Sequence, residues 1–241
     1  MGKEISVPLS RIMVLAIFVC LLTSAALPQQ EYVGRYDVYG GFSFLTTPKL
    51  NLFERGLHGQ FGVNPRRWFA VGADFSVFDG HSSIFPNMLA PSKQQQLGGV
   101  ITQLVTAGQI QPNYMLYMPF SVRTYTFTIG PQISIRKLKY VTFFIHPSIG
   151  GMHQDTQVNP IDPVQTLVAT GLIGASHKTD DLVPFFGVGG GFELNVQKNT
   201  SLRFTTDIVN TGLYSNMLNG RQNDFRFSVG PSFHFGKDVE K

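Results

Sequence analysis

Side chains two residues apart on an extended chain share a face, and His146 and Ser148 stand at that spacing around Pro147. An imidazole beside a hydroxyl is the pairing of a general base with a nucleophile. A second group, His177, Asp180 and Asp181, gathers an imidazole and two carboxylates in one short stretch, donors suited to a cation. The third and largest set is Arg35, Arg136, Arg203 and Arg226 with Asp37, Asp74, Glu193 and Asp207, all interleaved with apolar residues. Those four cations and four carboxylates would neutralise one another if a fold turned them to one side. Whether any set does chemistry depends on the elements that hold it.

Those elements are strands. Phe225, Phe227, Val229, Pro231, Phe233 and Phe235 alternate with Arg226, Ser228, Gly230, Ser232 and His234. A period of two means an extended segment whose faces meet different surroundings. At ~3.3 Å per residue this run reaches roughly 36 Å, the length of a tilted strand crossing a bilayer. Seven further segments alternate in the same way, at about 35–44, 57–63, 69–77, 125–136, 141–150, 186–196 and 202–208. Their connections alternate in length. Short ones rich in turn residues fall at 64–67, 137–139 and 197–200, and longer ones at roughly 45–56, 79–123, 153–184 and 210–223. Antiparallel strands then put every short turn at one end and every long loop at the other, as in outer-membrane barrels. Within the second long loop, Leu97, Val100, Ile101, Leu104 and Val105 recur at helical spacing, which fits a short amphipathic helix on the barrel mouth or on lipid, with a strand extending above the membrane as the alternative. Any additional strand pair would have to come from 114–122 and 164–175.

The N-terminus supplies a route out of the cytoplasm. Lys3 and Arg11 precede an apolar run from Ile12 to Leu22, followed by small residues at Ser24 and Ala26, the pattern of a cleaved secretory signal. The domains are therefore 1–26, a signal peptide, and 27–241, one barrel domain. Cys20 leaves with the signal, so no disulfide or thiolate chemistry is expected afterwards. Losing Lys3, Arg11 and Glu4 leaves 17 basic and 14 acidic side chains, a charge too small and too dispersed to suit nucleic acid. Only 14% of the residues are charged, 12% are aromatic, and no run is long enough for a spanning helix, which fits an apolar signal divided over alternate positions.

A secreted lipocalin-like barrel, a soluble ligand binder with its apolar face inward, would alternate in the same way. The lysines separate the two. Lys49, Lys93, Lys137, Lys139, Lys178, Lys198, Lys237 and Lys241 lie in loops, turns or the tail, whereas a soluble barrel carries such side chains along its strands. Trp68, Tyr125 and Tyr140 stand at strand ends, where interfacial girdles belong. The expected fold is all-β, an eight-stranded antiparallel up-and-down transmembrane barrel.

Over roughly residues 32–236 the chain resembles the small eight-stranded outer-membrane barrels of Gram-negative bacteria, the OmpA-like β-barrel family. The likeness rests on the signal, the turn and loop asymmetry, the aromatic last strand, and the glycine-rich segments Thr128-Ile129-Gly130-Pro131 and Gly187-Val188-Gly189-Gly190-Gly191-Phe192. It differs in the tail Gly236–Lys241 after Phe235, and no peptidoglycan-binding domain is expected. The resemblance implies a monomer in the bacterial outer membrane, in contact with its lipid and lipopolysaccharide and inserted by the barrel-assembly machinery. Its implied role is structural or surface-interactive, with no cofactor.

Eight strands leave an interior only wide enough for side chains. Arg35, Asp37, Asp74, Arg136, His146, Glu193, Arg203, Asp207 and Arg226 are therefore expected to form a structural lumen network, a paired plug, with a narrow gated pore as the alternative. His146 and Ser148 also resemble the His-x-Ser of outer-membrane lipid A deacylases, but they fall on the inward face, away from lipid substrate. No metal or catalytic site is expected.

Overall fold

A computed structural model describes residues 32–240. The expected signal peptide, 1–26, and residues 27–31 lie outside the described residues. The strands are β1 (Gly34–Thr47), β2 (Leu52–Arg66), β3 (Phe69–Ile84), β4 (Met118–Ile135), β5 (Val141–Val158), β6 (Lys178–Gln197), β7 (Thr200–Thr211) and β8 (Gln222–Asp238). Each pairs antiparallel with its neighbour, and β8 pairs back onto β1, closing an eight-stranded up-and-down barrel. Helix α1 (Pro91–Thr106) interrupts the β3–β4 loop, and α2 (Pro163–Ile173) the β5–β6 loop. Among the described residues no additional strand pair forms. Residues 118–122 extend β4, and 164–173 belong to α2.

The outward face is apolar. Phe42, Leu57, Phe75, Phe127, Ile149, Phe186 and Ile208 are all more than half exposed, which in water would be a large uncovered patch and in a bilayer is the lipid contact. Trp68 and Tyr140, at the short turns, stand 52% and 68% exposed, as an interfacial girdle requires. The last strand has its phenylalanines outward and Arg226, Ser228, Ser232 and His234 buried inward.

The long connections shrink to 48–51, 85–117, 159–177 and 212–221, because the strands continue well past the apolar belt. The expected boundaries miss this because the alternation changes phase. In β4 the outward apolar residues are Phe127, Ile129, Ile133 and Ile135, but higher up Phe120 and Val122 are buried inside while Ser121 and Arg123 face out. Above the bilayer, water is outside and the dry side is inside, so the pattern inverts. Leu45, Leu52, Phe78, Phe120, Val122, Met152, Phe185 and Val209 form a packed core there with Leu50, Leu213, Tyr214 and Leu218 of the loops. A second cluster continues it upward. Leu97 of α1 and Val168 and Ala169 of α2 pack with Leu89, Leu116 and Met118, so the helices sit over the barrel mouth. Asp162 caps α2, its Oδ1 accepting from the Gln165 N–H at 2.8 Å, and its Oδ2 accepts from the Tyr114 hydroxyl at 2.8 Å, which ties the two loops together. Burial pushes the Tyr114 phenol up to about 12, and that hydrogen bond adds to the shift.

Candidate functional site in the charged lumen

Period-two alternation turns the polar residues of all eight strands into the barrel, and the lumen at bilayer height is where the predicted charges meet. Arg203 on β7, 1% exposed, is the centre of the periplasmic half. Its Nε donates to Glu193 Oε1 of β6 at 2.6 Å, and its Nη2 also pairs with that oxygen. Across the lumen, Nη1 donates to Gln60 of β2 at 2.5 Å, and Nη2 reaches Asp37 of β1 at 3.5 Å. Its Cζ lies over the rings of Tyr39 and Phe144, 5.6 and 5.2 Å from their centres. Asp37 also accepts from Asn64 at 3.0 Å. Glu193 is approached by Arg136 at 4.0 Å and by His234 at 3.7 Å.

Arg226 on β8 centres a second group nearer the outside. Its Nε donates to Asp207 of β7 at 2.7 Å, and its Nη1 to Asp74 of β3 and Ser76 at 3.0 and 3.1 Å. His146 Nε2 lies 3.0 Å from the other oxygen of Asp207. Asp74 also accepts from the Thr128 hydroxyl and has His58 Nε2 at 3.6 Å. The glycines of β6 make this possible. A Cβ on Gly189 would collide with Asp207 Oδ1 and come within 2.7 Å of His146 Nε2, so only glycine leaves room for that pair against the wall. Among the described residues the buried hydroxyls of Thr126, Thr205 and Ser232 have no hydrogen-bond partner.

One predicted member is elsewhere. Arg35 is exposed at the periplasmic rim, outside the lumen. The β1–β8 register slips there, from Tyr36↔Phe235 to Gly34↔Asp238, because β8 carries an extra residue beside Gly236, whose φ is +93°. A bulge breaks the parity on which Arg35 was assigned. Two buried acids were missed. Glu54 and Asp224 face inward above Arg226, 0% and 1% exposed, and form no ion pair among the described residues. Thr124 donates to Glu54 Oε1 and Thr47 to Asp224 Oδ1, each at 2.6 Å, while Glu54 Oε2 has no hydrogen-bond partner among the described residues. Glu54 shares the parity of His58 on β2, a signal that would have found it had the strand been extended beyond Leu57.

The candidate chemistry is not assembled. Ser148 faces inward with His146, but no hydrogen bond joins them among the described residues, and the imidazole Nε2 is directed at Asp207. His177 Nε2 lies 3.0 Å from the Thr170 hydroxyl, and Asp181 Oδ2 accepts the Tyr214 N–H at 2.6 Å. Burial pushes the Tyr214 phenol above its ordinary range. Among the described residues no group of three or more His, Cys, Asp or Glu is placed to hold a metal.

No protein-family profile and no curated relative matches the chain. Solved structures do. Neisserial surface protein A is 10% identical with a TM-score of 0.52, over 85% of this chain and all of that one. OprG of Pseudomonas aeruginosa is 8% identical over 87% of this chain and 99% of its own, at 0.47. The attachment invasion locus protein Ail of Yersinia pestis is 12% identical over 86% of this chain and all of its own, at 0.46. With a lipid-facing belt, a closed ring of eight antiparallel strands and long connections at one end, the chain has the fold of the small β-barrels of the bacterial outer membrane.

Proposed function

We propose that this outer-membrane barrel is a structural and surface-interaction protein with a closed lumen and no catalytic role. One observation carries the reading. Arg203 and Arg226, both inside the bilayer-height lumen, reach carboxylates or amides on strands from opposite sides of the ring, so the space between the walls is spanned by paired side chains. The dry core above them is a second closure. What remains for function is the extracellular lid. From 85 to 117 it carries Lys93 as its only Lys, Arg, Asp or Glu, and Met115, Ile161 and Leu167 of the lid are exposed, which favours contact with other molecules over solvation alone. The ring has no free strand edge, which supports a monomer embedded in outer-membrane lipid and lipopolysaccharide. The aromatic alternation of β8 supports recognition by the barrel-assembly machinery. The test is conductance in planar bilayers of the purified full-length mature chain. Rare, brief events are expected, and steady openings that scale with the protein added would overturn the closed lumen.

A further inference from the structure

The two ends of the barrel differ in charge. At the periplasmic end Arg35, Arg66, Lys137, Lys139, Lys198 and Lys237 are exposed, against only Asp238 and Glu240 among the described residues. Asp238 is already engaged by the buried Arg67 at 3.7 Å. At the extracellular end the exposed acids Asp79, Asp155 and Asp180 offset the cations, and two of the cations have one close by: Arg123 Nε donates to Asp79 at 2.7 Å, and Arg55 lies opposite the same Asp79 on the β2–β3 ladder. An exposed basic rim beside a bilayer calls for anions from that bilayer.

Two of these cations converge on a built groove of about 310 Å³ between the β4–β5 and β6–β7 turns, lined by Tyr32, Lys139, Tyr140, Asn195, Val196 and Lys198, with Gln197. Lys139 Nζ lies 5.8 Å from the Tyr140 ring, and Lys198 Nζ 5.1 Å from the Tyr32 ring. Neither ammonium forms an ion pair among the described residues. Asn195 Nδ2 donates to the Lys139 carbonyl at 3.1 Å, which ties the two turns together. The groove also reaches the lipid-facing wall, since Tyr140 and Val196 are 68% and 69% exposed, and Leu194 and Phe143 continue the apolar surface into the bilayer. Polar cations at the rim with an apolar wall beside them match an amphiphile that carries an anionic head.

We propose that this groove is a binding site for an anionic phospholipid of the inner leaflet, its phosphate between Lys139 and Lys198 and its chains along Val196, Leu194 and Phe143. The headgroup is of the phosphatidylglycerol class, which keeps a net negative charge that a zwitterionic phosphatidylethanolamine head does not. A lysine near an anionic surface contributes roughly fivefold in affinity, so the two together give a preference on the order of twentyfold.

The test reconstitutes the mature chain in vesicles of equal phosphatidylglycerol and phosphatidylethanolamine, extracts it in mild detergent, and counts retained lipids by native mass spectrometry. The wild type is expected to retain phosphatidylglycerol at least several-fold over phosphatidylethanolamine. Lys139→Gln/Lys198→Gln should lose that preference, Lys139→Arg/Lys198→Arg should keep it, and Lys49→Gln/Lys93→Gln at the opposite end should leave it unchanged. A heat-modifiable gel band checks that each variant folds. Equal retention of the two lipids by the wild type would overturn the proposal, and so would an unchanged preference in the glutamine variant. Displacement of the lipid by millimolar inorganic phosphate would assign the groove to free anions and overturn the lipid assignment.

Discussion

Arg203 is surrounded by groups that already share its charge, and this determines what a substitution there does. Glu193→Gln keeps the shape of the side chain but leaves the buried guanidinium with Asp37 at 3.5 Å as its nearest charged partner. Breaking one side of a buried ion pair costs about 3–5 kcal/mol, so the urea midpoint for loss of the heat-modifiable band should fall markedly. Glu54 is buried as deeply but forms no ion pair among the described residues. Glu54→Gln can still accept from Thr124, and the same assay should show unchanged stability or a gain of about 1 kcal/mol. If Glu54→Gln were as damaging as Glu193→Gln, its carboxylate would have an essential partner. Ser148, unbonded to His146, is expected to be dispensable. Ser148→Ala should leave the lipid A profile of expressing cells unchanged by mass spectrometry, and a lost acyl-chain difference would establish a hydrolase.

Among the elements, β6 is the one whose composition the lumen dictates most directly. It is the longest strand, at 20 residues, and runs past Asp207, His146 and Phe204 with glycine at each close approach. Gly189→Ala puts a methyl group onto the carboxylate of Asp207, which must then leave either His146 or Arg226. A loss of about 2 kcal/mol or more is expected, with thermal unfolding of the variant at a lower temperature. The belt-height part of every strand could be read from the sequence because lipid outside and charge inside impose an unmistakable period of two. The upper part of β4 and β5 could not, since the phase reverses at the water boundary and a scan for outward phenylalanine and isoleucine stops there. The α1 helix declared itself by the spacing of Leu97, Val100, Ile101 and Leu104. The α2 helix did not, because Val168 and Ala169 anchor only a short apolar segment. Arg35 failed for a different reason: a bulge changes parity without changing composition, and one residue of slip turns a lumen charge into a rim charge.

Taken whole, the molecule is two bodies sharing one wall. Inside the bilayer it is apolar outside and ionic inside, and above the bilayer it is polar outside and dry inside, like a soluble protein. The strand-by-strand reversal between them, from Phe127 and Tyr125 outward to Val122 inward on β4 and from Ile149 outward to Met152 inward on β5, works as a waterline marked on the hull. Sinking the barrel by a few residues would drag Arg123 and Asp155 into hydrocarbon, and raising it would lift Phe127 and Ile149 into water. Each displacement is opposed by the whole circumference at once, so the draught is set by the protein and the surrounding lipid must adjust its thickness to it.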